Sequence, residues 1–338
     1  MHKVDTGSVI SRTAWTRPLS LLINHFFPTP YSLPMDWLAV AIDELAGMTQ
    51  WGYGSSAATE PTAWSALALA AHGRNESAAL AQQWLVRIQQ GNGMLGISDT
   101  QAEPHWPTGL AVLAWSLFPR FNADRLDHPY RNAISSAIRA ILSLEGNASE
   151  RKFDQVDQSS TPIVGHDTML VGWPWVEGTH TWLEPTAMFL LALKASGYGS
   201  NSRAREAVKV LLDRQLPDGG CNYGNTFVLG QELRPQLEPS GLALLALGGV
   251  QDPSGRIAKT IEYVVANTSG EVSTLSLSYA LMGLAAHGKY PPEAHAWLGK
   301  AFERSRSRGV SAQRLALAAL AAMGTECPLV RLTQEVNS

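Results

Sequence analysis

The sequence predicts an all-α fold, a single domain in which about six inner and six outer helices close into a two-layered ring. Three observations lead there. Six Ala- and Leu-rich segments are apolar nearly all the way round, a pattern that suits a helix buried on every side. Amphipathic segments, each with one apolar stripe, alternate with them. The connections entering the apolar segments are mostly long, and those leaving them are mostly short.

The apolar set is Thr62–Gly73, Thr108–Phe118, Thr186–Gly197, Ser240–Gly249, Leu277–Gly288 and Gln313–Gly324. Ala and Leu are strong helix formers, and a closing Gly suits a left-handed C-terminal cap. Pro61, Pro107, Pro185 and Pro239 are expected at the first helical position, where the missing N–H has no partner to lose. Only Lys194 and Arg314 carry charge in the bodies of these helices.

The amphipathic set is Ser77–Gln89, His128–Leu144, Ser202–Gln215, Ser254–Ala266 and Pro292–Arg306, with Met35–Ala46 placed before the first buried helix. Helical hairpins in strict alternation either stack into an open superhelix or close on themselves. Equal numbers of inner and outer helices favour closure, and an open array is the alternative. In a closed ring the long connections Gly47–Glu60, Gln90–Trp106, Gly146–Glu184 and Leu216–Glu238 emerge on one face. Loops gathered on one face of a rigid scaffold are where binding usually sits. Trp51, Trp106, Trp173, Trp175 and Trp182 fall in them, with Trp64 and Trp115 on inner helices, so an aromatic mouth is expected.

Composition fits this reading. The 338 residues are 45% hydrophobic and only 16% charged, which excludes a disordered chain. A net charge of −3 supplies no basic field for nucleic acid. Two cysteines far apart, Cys221 and Cys327, form neither a disulfide framework nor a metal-finger spacing, and a reducing cytoplasm is the simplest compartment. Residues 1–34 read as an N-terminal extension, 35–324 as the ring and 325–338 as a C-terminal tail. The apolar run Leu19–Phe27 is too short to span a bilayer, which needs about 20 apolar residues. Residues 14–28 are expected to pack back onto the domain, with peripheral membrane contact as the alternative. The oligomeric state is not readable.

Within the loops, Gln215-Leu-Pro-Asp-Gly-Gly-Cys-Asn-Tyr-Gly224 resembles the Gln-x-x-Asp-Gly-x-Trp motif of squalene and terpene cyclases. Gln89-Gln-Gly-Asn-Gly-Met-Leu-Gly96 is a degraded copy, and Thr49-Gln-Trp-Gly-Tyr-Gly54 keeps its end. Together with the (Glu)-Pro-Thr-Ala/Gly-x-x-x-Leu-Ala-Leu helices, the chain is similar to the prenyltransferase/squalene-cyclase repeat family over residues 35–324. The resemblance implies the α/α toroid. It also implies action on an isoprenoid or similar apolar chain by acid-initiated cyclisation without a cofactor. Cys221 stands where the motif has Trp, and the family's Asp-x-Asp-Asp acid motif is not present. Gln215 and Asp218 read as structural, Asp-Gly-Gly making a tight turn and Gln reaching free backbone groups.

Proton-initiated cyclisation needs a carboxylic acid kept neutral by an apolar pocket, and aromatic faces for the cations that follow. The longest loop supplies His166 and Asp167, then Trp173, Trp175, His180, Trp182 and Glu184. Asp167 with His166, and Glu184 beside His180, are the candidate proton donors. Their bland alternatives are an Asx turn for Asp167 and helix-dipole capping for Glu184. Glu60, Glu184 and Glu238 recur one residue before Pro, so three carboxylates would ring one mouth. Trp51, Tyr53, Trp64, Trp106, Trp173, Trp175, Trp182 and Tyr223, with Glu60 and Glu238, form the candidate substrate wall. A non-catalytic ring binding a lipid, peptide or partner protein is the second reading. A zinc-dependent prenyltransferase-like activity is the third: Asp218-Gly-Gly-Cys221 resembles the Asp-x-Cys pair of those enzymes, one residue too long, with His105, His166 and His180 as conceivable partners. No metal site is assigned.

Overall fold

The computed structural model describes residues 36–54, 56–117, 129–144, 165–228 and 230–334. The segment 14–28 lies outside the described residues. The described residues all belong to one compact unit.

The chain enters with α1 (Trp37–Ala46), whose N-cap Asp36 accepts the Leu38 N–H at 3.1 Å. A two-residue hairpin, β1 (Gly52–Tyr53) with β2 (Ser56–Ala57), leads to α2 (Thr59–Ala71). Then come α3 (Asn75–Ile88), α4 (Thr108–Leu117), α5 (Arg131–Ser143), α6 (Leu183–Ala195) and α7 (Ser202–Asp213). A second hairpin, β3 (Phe227–Val228) with β4 (Gln231–Glu232), precedes α8 (Leu237–Ala246). The remaining helices are α9 (Arg256–Asn267), α10 (Thr274–Ala286), α11 (Ala294–Arg306), α12 (Ala312–Ala322) and α13 (Pro328–Gln334). No described helix is long and apolar enough to cross a membrane.

The even-numbered helices α2 to α12 pack in sequence, each against the next, and α12 packs against α2. That contact closes the inner ring. The outer helices α1, α3, α5, α7, α9 and α11 each lie against one or two inner helices, and α1 touches both α11 and α12. The fold is therefore the closed all-α toroid, not the open array. Nearly every residue of the inner helices is buried, which is why their sequences show no polar face. Burial of each Leu contributes about 1.5–3 kcal/mol, so this Ala/Leu lining is the main source of cohesion.

Five inner helices begin earlier than the sequence reading placed them: α2, α6, α8 and α10 by three residues, at Thr59, Leu183, Leu237 and Thr274, and α12 by one, at Ala312. Pro61, Pro185 and Pro239 are thus the third helical residue, not the first. The physical reason is that the first four N–H groups of a helix have no intrahelical partner, so Pro fits anywhere in that turn. The shift moves Glu60, Glu184 and Glu238 from the preceding loop into the helices themselves, at the second position.

Two details shape the interior. Helices α8 and α10 touch backbone to backbone: a Cβ on Gly241 would lie 2.5 Å from the Ala280 nitrogen, and one on Gly283 would lie 2.3 Å from the Gly241 oxygen. Across the ring, the buried Trp64 of α2 meets the buried Tyr279 of α10 edge-on, ring centroids 6.1 Å apart. At the opposite end, His72 Nε2 lies 3.1 Å from the Ala319 carbonyl, His287 Nε2 lies 2.9 Å from the Leu244 carbonyl, and Lys194 Nζ donates to the Ala246 carbonyl at 2.8 Å. Each ties one inner helix to a neighbour's C-terminal carbonyls. The stretch read as a tail, 325–338, contains α13, which buries Pro328, Leu329, Val330, Leu332 and Thr333 against α6, α8 and α10.

Candidate active site at the mouth of the ring

A repeated device fixes the loops above the inner helices. The hydroxyl one residue after each Pro reaches back to the preceding loop. Thr62 Oγ1 donates to the Trp51 carbonyl at 2.8 Å. Thr108, Thr186 and Ser240 accept the N–H groups of Leu95, Trp173 and Cys221 at 2.8–3.0 Å. Trp51, Leu95, Trp173 and Cys221 therefore occupy one repeated position, the last residue of the Gln-x-x-Asp-Gly-x-Trp pattern.

This corrects the reading of two tryptophans. Trp51 is 4% exposed and its indole donates to the Leu45 carbonyl at 3.0 Å. Trp173 is fully buried, donates to the Ile141 carbonyl at 2.9 Å and carries Arg203 4.3 Å above its ring. Both brace an outer helix against the ring wall and leave no face for a substrate.

Asp167 is corrected as well. It is exposed, its Oδ1 accepts the Met169 N–H at 2.8 Å, and its own N–H donates to Asp213 at 3.0 Å. That is an Asx turn beside the C-terminus of α7, without the apolar pocket a neutral acid requires. His166 is buried next to it, and His180 lies exposed in the Trp173–Trp182 loop. Trp106 and Trp175 meet edge-on at 4.8 Å, both half-buried.

The glutamates do converge. Ala58, Trp182 and Gln236, the residues before α2, α6 and α8, all have extended backbones and no capping side chain. One turn geometry therefore delivers Glu60, Glu184 and Glu238 at equivalent points of the ring. Burial raises all three carboxyls above the usual range. Mutual repulsion adds to this: Glu238 acts on Glu60, and both Glu238 and Glu60 act on Glu184, which is pushed up to about 8.

Their hydrogen bonds differ. Glu60 accepts from the Tyr53 hydroxyl and from Gln313 Nε2 at 2.7 Å, and these donors favour its charged form. Glu238 accepts from Ser276 Oγ at 3.3 Å. Glu184 receives no side-chain hydrogen bond among the described residues. Below them lies Tyr279, whose hydroxyl is raised first by burial and then by Glu184, Glu60 and Glu238. Trp64 Nε1 is buried without a hydrogen-bond partner, close enough to Glu60 to favour its charge. Tyr223, half-exposed, is raised by burial and by Glu238 and Glu184.

Tyr279, Ser276 and Gln313 were not singled out in the sequence. Ser276 and Gln313 lie in the first turn of their inner helices, where Glu60, Glu184 and Glu238 lie in theirs, and that shared position was the available signal.

The chemistry open to this arrangement is acid–base. Glu184 is pushed up to about 8, and Glu60 is raised too while its Tyr53 hydrogen bond pulls the other way, so one mouth holds carboxyls in unlike environments. Zinc chemistry finds no comparable support. Cys221 is fully buried and burial drives its thiol up, the reverse of what a ligating thiolate needs. Among the described residues no three His, Cys, Asp or Glu side chains gather as a metal set.

Comparison with solved structures places the fold. The chain aligns with a protein from Actinoplanes at a TM-score of 0.51 and 13% identity, over 88% of this chain and 99% of that one. A glycosidase variant aligns at 0.51 and 12%, over 88% and 96%. Salmonella alpha-2-macroglobulin reacted with methylamine aligns at 0.47 and 14%; this chain spans 17% of that protein's length. At these identities the likeness is one of fold. No protein-family model and no curated protein matches the sequence.

Proposed function

We propose that the chain is an acid–base enzyme whose reaction takes place at the mouth of the ring. Glu184 is its proton donor and Glu60 the partner carboxyl. The observation that carries this is the grouping of three half-buried glutamates around Tyr279, with hydrogen-bond donors given to Glu60 and withheld from Glu184. The first substrate class is a glycoside, the bond that the glycosidases of like fold act on. Glu184 would give its proton to the glycosidic oxygen as the C–O bond breaks, and the alcohol would leave. Water would add to the anomeric carbon while the carboxylate takes its proton. Tyr279 and Glu238 would stabilise charge at the reacting centre.

A second reading keeps the acid and changes the substrate. The exposed rings of Tyr53 and Tyr223, with the cyclase-like Gln215-x-x-Asp218-Gly219 turn, favour protonation of an isoprenoid double bond followed by cation stabilisation on aromatic faces. Both readings are tested together. The purified chain and Glu184→Gln are incubated with p-nitrophenyl glycosides, and in parallel with squalene and linear prenyl diphosphates, with products read by absorbance and mass spectrometry. Turnover that Glu184→Gln abolishes is expected in one series. Turnover that Glu184→Gln leaves intact would remove the mechanism, and no turnover in either series would leave a ring that only binds.

A further inference from the structure

Beside the mouth is a cleft of about 330 Å³, within the size range of small-molecule sites. Its walls include Trp182, Asn222, Tyr223 and Arg234. Trp182 and Tyr223 link it to Glu184 and Glu238. Trp182 is two residues before Glu184, the Leu183 N–H donates to the Tyr223 carbonyl at 3.0 Å, and the Tyr223 hydroxyl feels both Glu184 and Glu238.

Two side chains of this cleft, Asn222 and Arg234, have donors to spare. Asn222 is 7% exposed, and its Oδ1 is already committed to the N–H groups of Gly224 and Asn225 at 3.0 and 3.1 Å. Those bonds fix which amide atom is nitrogen, and that Nδ2 is buried with no partner. An orphaned buried donor costs about 1–3 kcal/mol, which a ligand oxygen would relieve. The Arg234 side chain is exposed and makes no hydrogen bond or ion pair among the described residues. Trp182 and Tyr223 add partly exposed aromatic surface, on which the apolar face of a sugar ring can lie.

We infer that this cleft is a substrate subsite for a sugar ring bearing a carboxylate. Arg234 and the Asn222 amide meet the acidic group, and Trp182 and Tyr223 hold the ring. The inference deepens the glycoside reading of the mouth and rests on it. Guanidinium and carboxylate match in geometry, and two donors facing an acceptor-only group leave nothing unpaired. A neutral sugar would satisfy the aromatic faces and leave Arg234 without its charge partner.

The test uses full-length Glu184→Gln, so that binding is measured without turnover, titrated calorimetrically with sodium glucuronate, glucose and benzoate. Glucuronate is expected to bind at least tenfold more tightly than either of the others. Adding Arg234→Gln should remove that preference. Adding Asn222→Asp, which keeps the oxygen that accepts from Gly224 and Asn225 but replaces the donor by an acceptor, should weaken glucuronate at least tenfold without lowering the melting temperature. Equal binding of glucose or benzoate, or affinity unmoved by both variants, overturns the subsite. The two readings fail separately. Glycoside turnover that depends on Glu184 but ignores Arg234 and Asn222 leaves the mechanism and removes the subsite. Glucuronate binding with the expected variant pattern and no turnover of any glucuronide leaves the subsite and removes the mechanism.

Discussion

Gln313 donates its side-chain amide to Glu60 at 2.7 Å across a sequence separation of 253 residues. The last inner helix thus reaches the first at the mouth itself, and the bond that closes the ring there also gives a donor to a candidate catalytic carboxyl. Closure and chemistry share one contact.

Glu184→Gln should stabilise the protein in alkali. The folded chain keeps a proton on Glu184 up to about pH 8, whereas the unfolded chain releases it near 4.5. Between these values the native state binds more protons, so stability falls as pH rises through that window. The amide stays neutral throughout. Thermal unfolding from pH 5 to 9 should therefore show a higher melting temperature for the variant at pH 9, by about 2–4 °C for each kcal/mol relieved, and no difference of that sign at pH 5. Parallel curves across the range would contradict a raised Glu184.

Tyr53→Phe should move the acidic limb of the pH–activity profile upward. The Tyr53 hydroxyl donates to Glu60, and a donor to a carboxylate favours its charged form. A hydrogen bond to a charged group contributes about 1.5–3 kcal/mol, against 1.36 kcal/mol per pKa unit, so a shift of about one unit is expected. An unmoved limb with reduced kcat would show that Glu60 is not the group titrating there.

Gly241→Ala should destabilise the ring and impair the site together. The added methyl would lie 2.5 Å from the Ala280 nitrogen and from the Tyr279 carbonyl carbon, which are backbone atoms that cannot swing aside. Overpacking of this kind costs about 1–3 kcal/mol, seen as a lower urea midpoint. The neighbour that has to move carries Tyr279, so kcat should fall even under conditions where the variant is fully folded.

The ring was legible in the sequence because its helices differ in kind. Ala/Leu rods without a polar side, such as Thr274–Ala286, have nowhere to go but the interior, and striped helices such as Ser202–Asp213 belong outside. The Gln-x-x-Asp-Gly turn was also readable: Gln215 Oε1 accepts from Thr260 Oγ1 at 2.6 Å, and Gln89 donates to the Ala133 carbonyl at 2.9 Å, each binding one outer helix to the next. The site was only half legible. The recurrence of Glu before Pro gave the three carboxylates. The same uniform apolarity that announces a buried helix hides which of its residues face the axis, so Tyr279 was indistinguishable from its neighbours. Trp51 and Trp173 misled because loop aromatics resemble a binding wall, while their indole N–H groups are engaged by outer-helix carbonyls that no sequence pattern displays.

Helix α13 lies under the C-terminal ends of the inner ring, with Thr333 so close to Gly248 that a methyl there would fall 2.4 Å from its hydroxyl oxygen. That end is packed by the chain's own last described helix, so trimming it would loosen three wall helices at once.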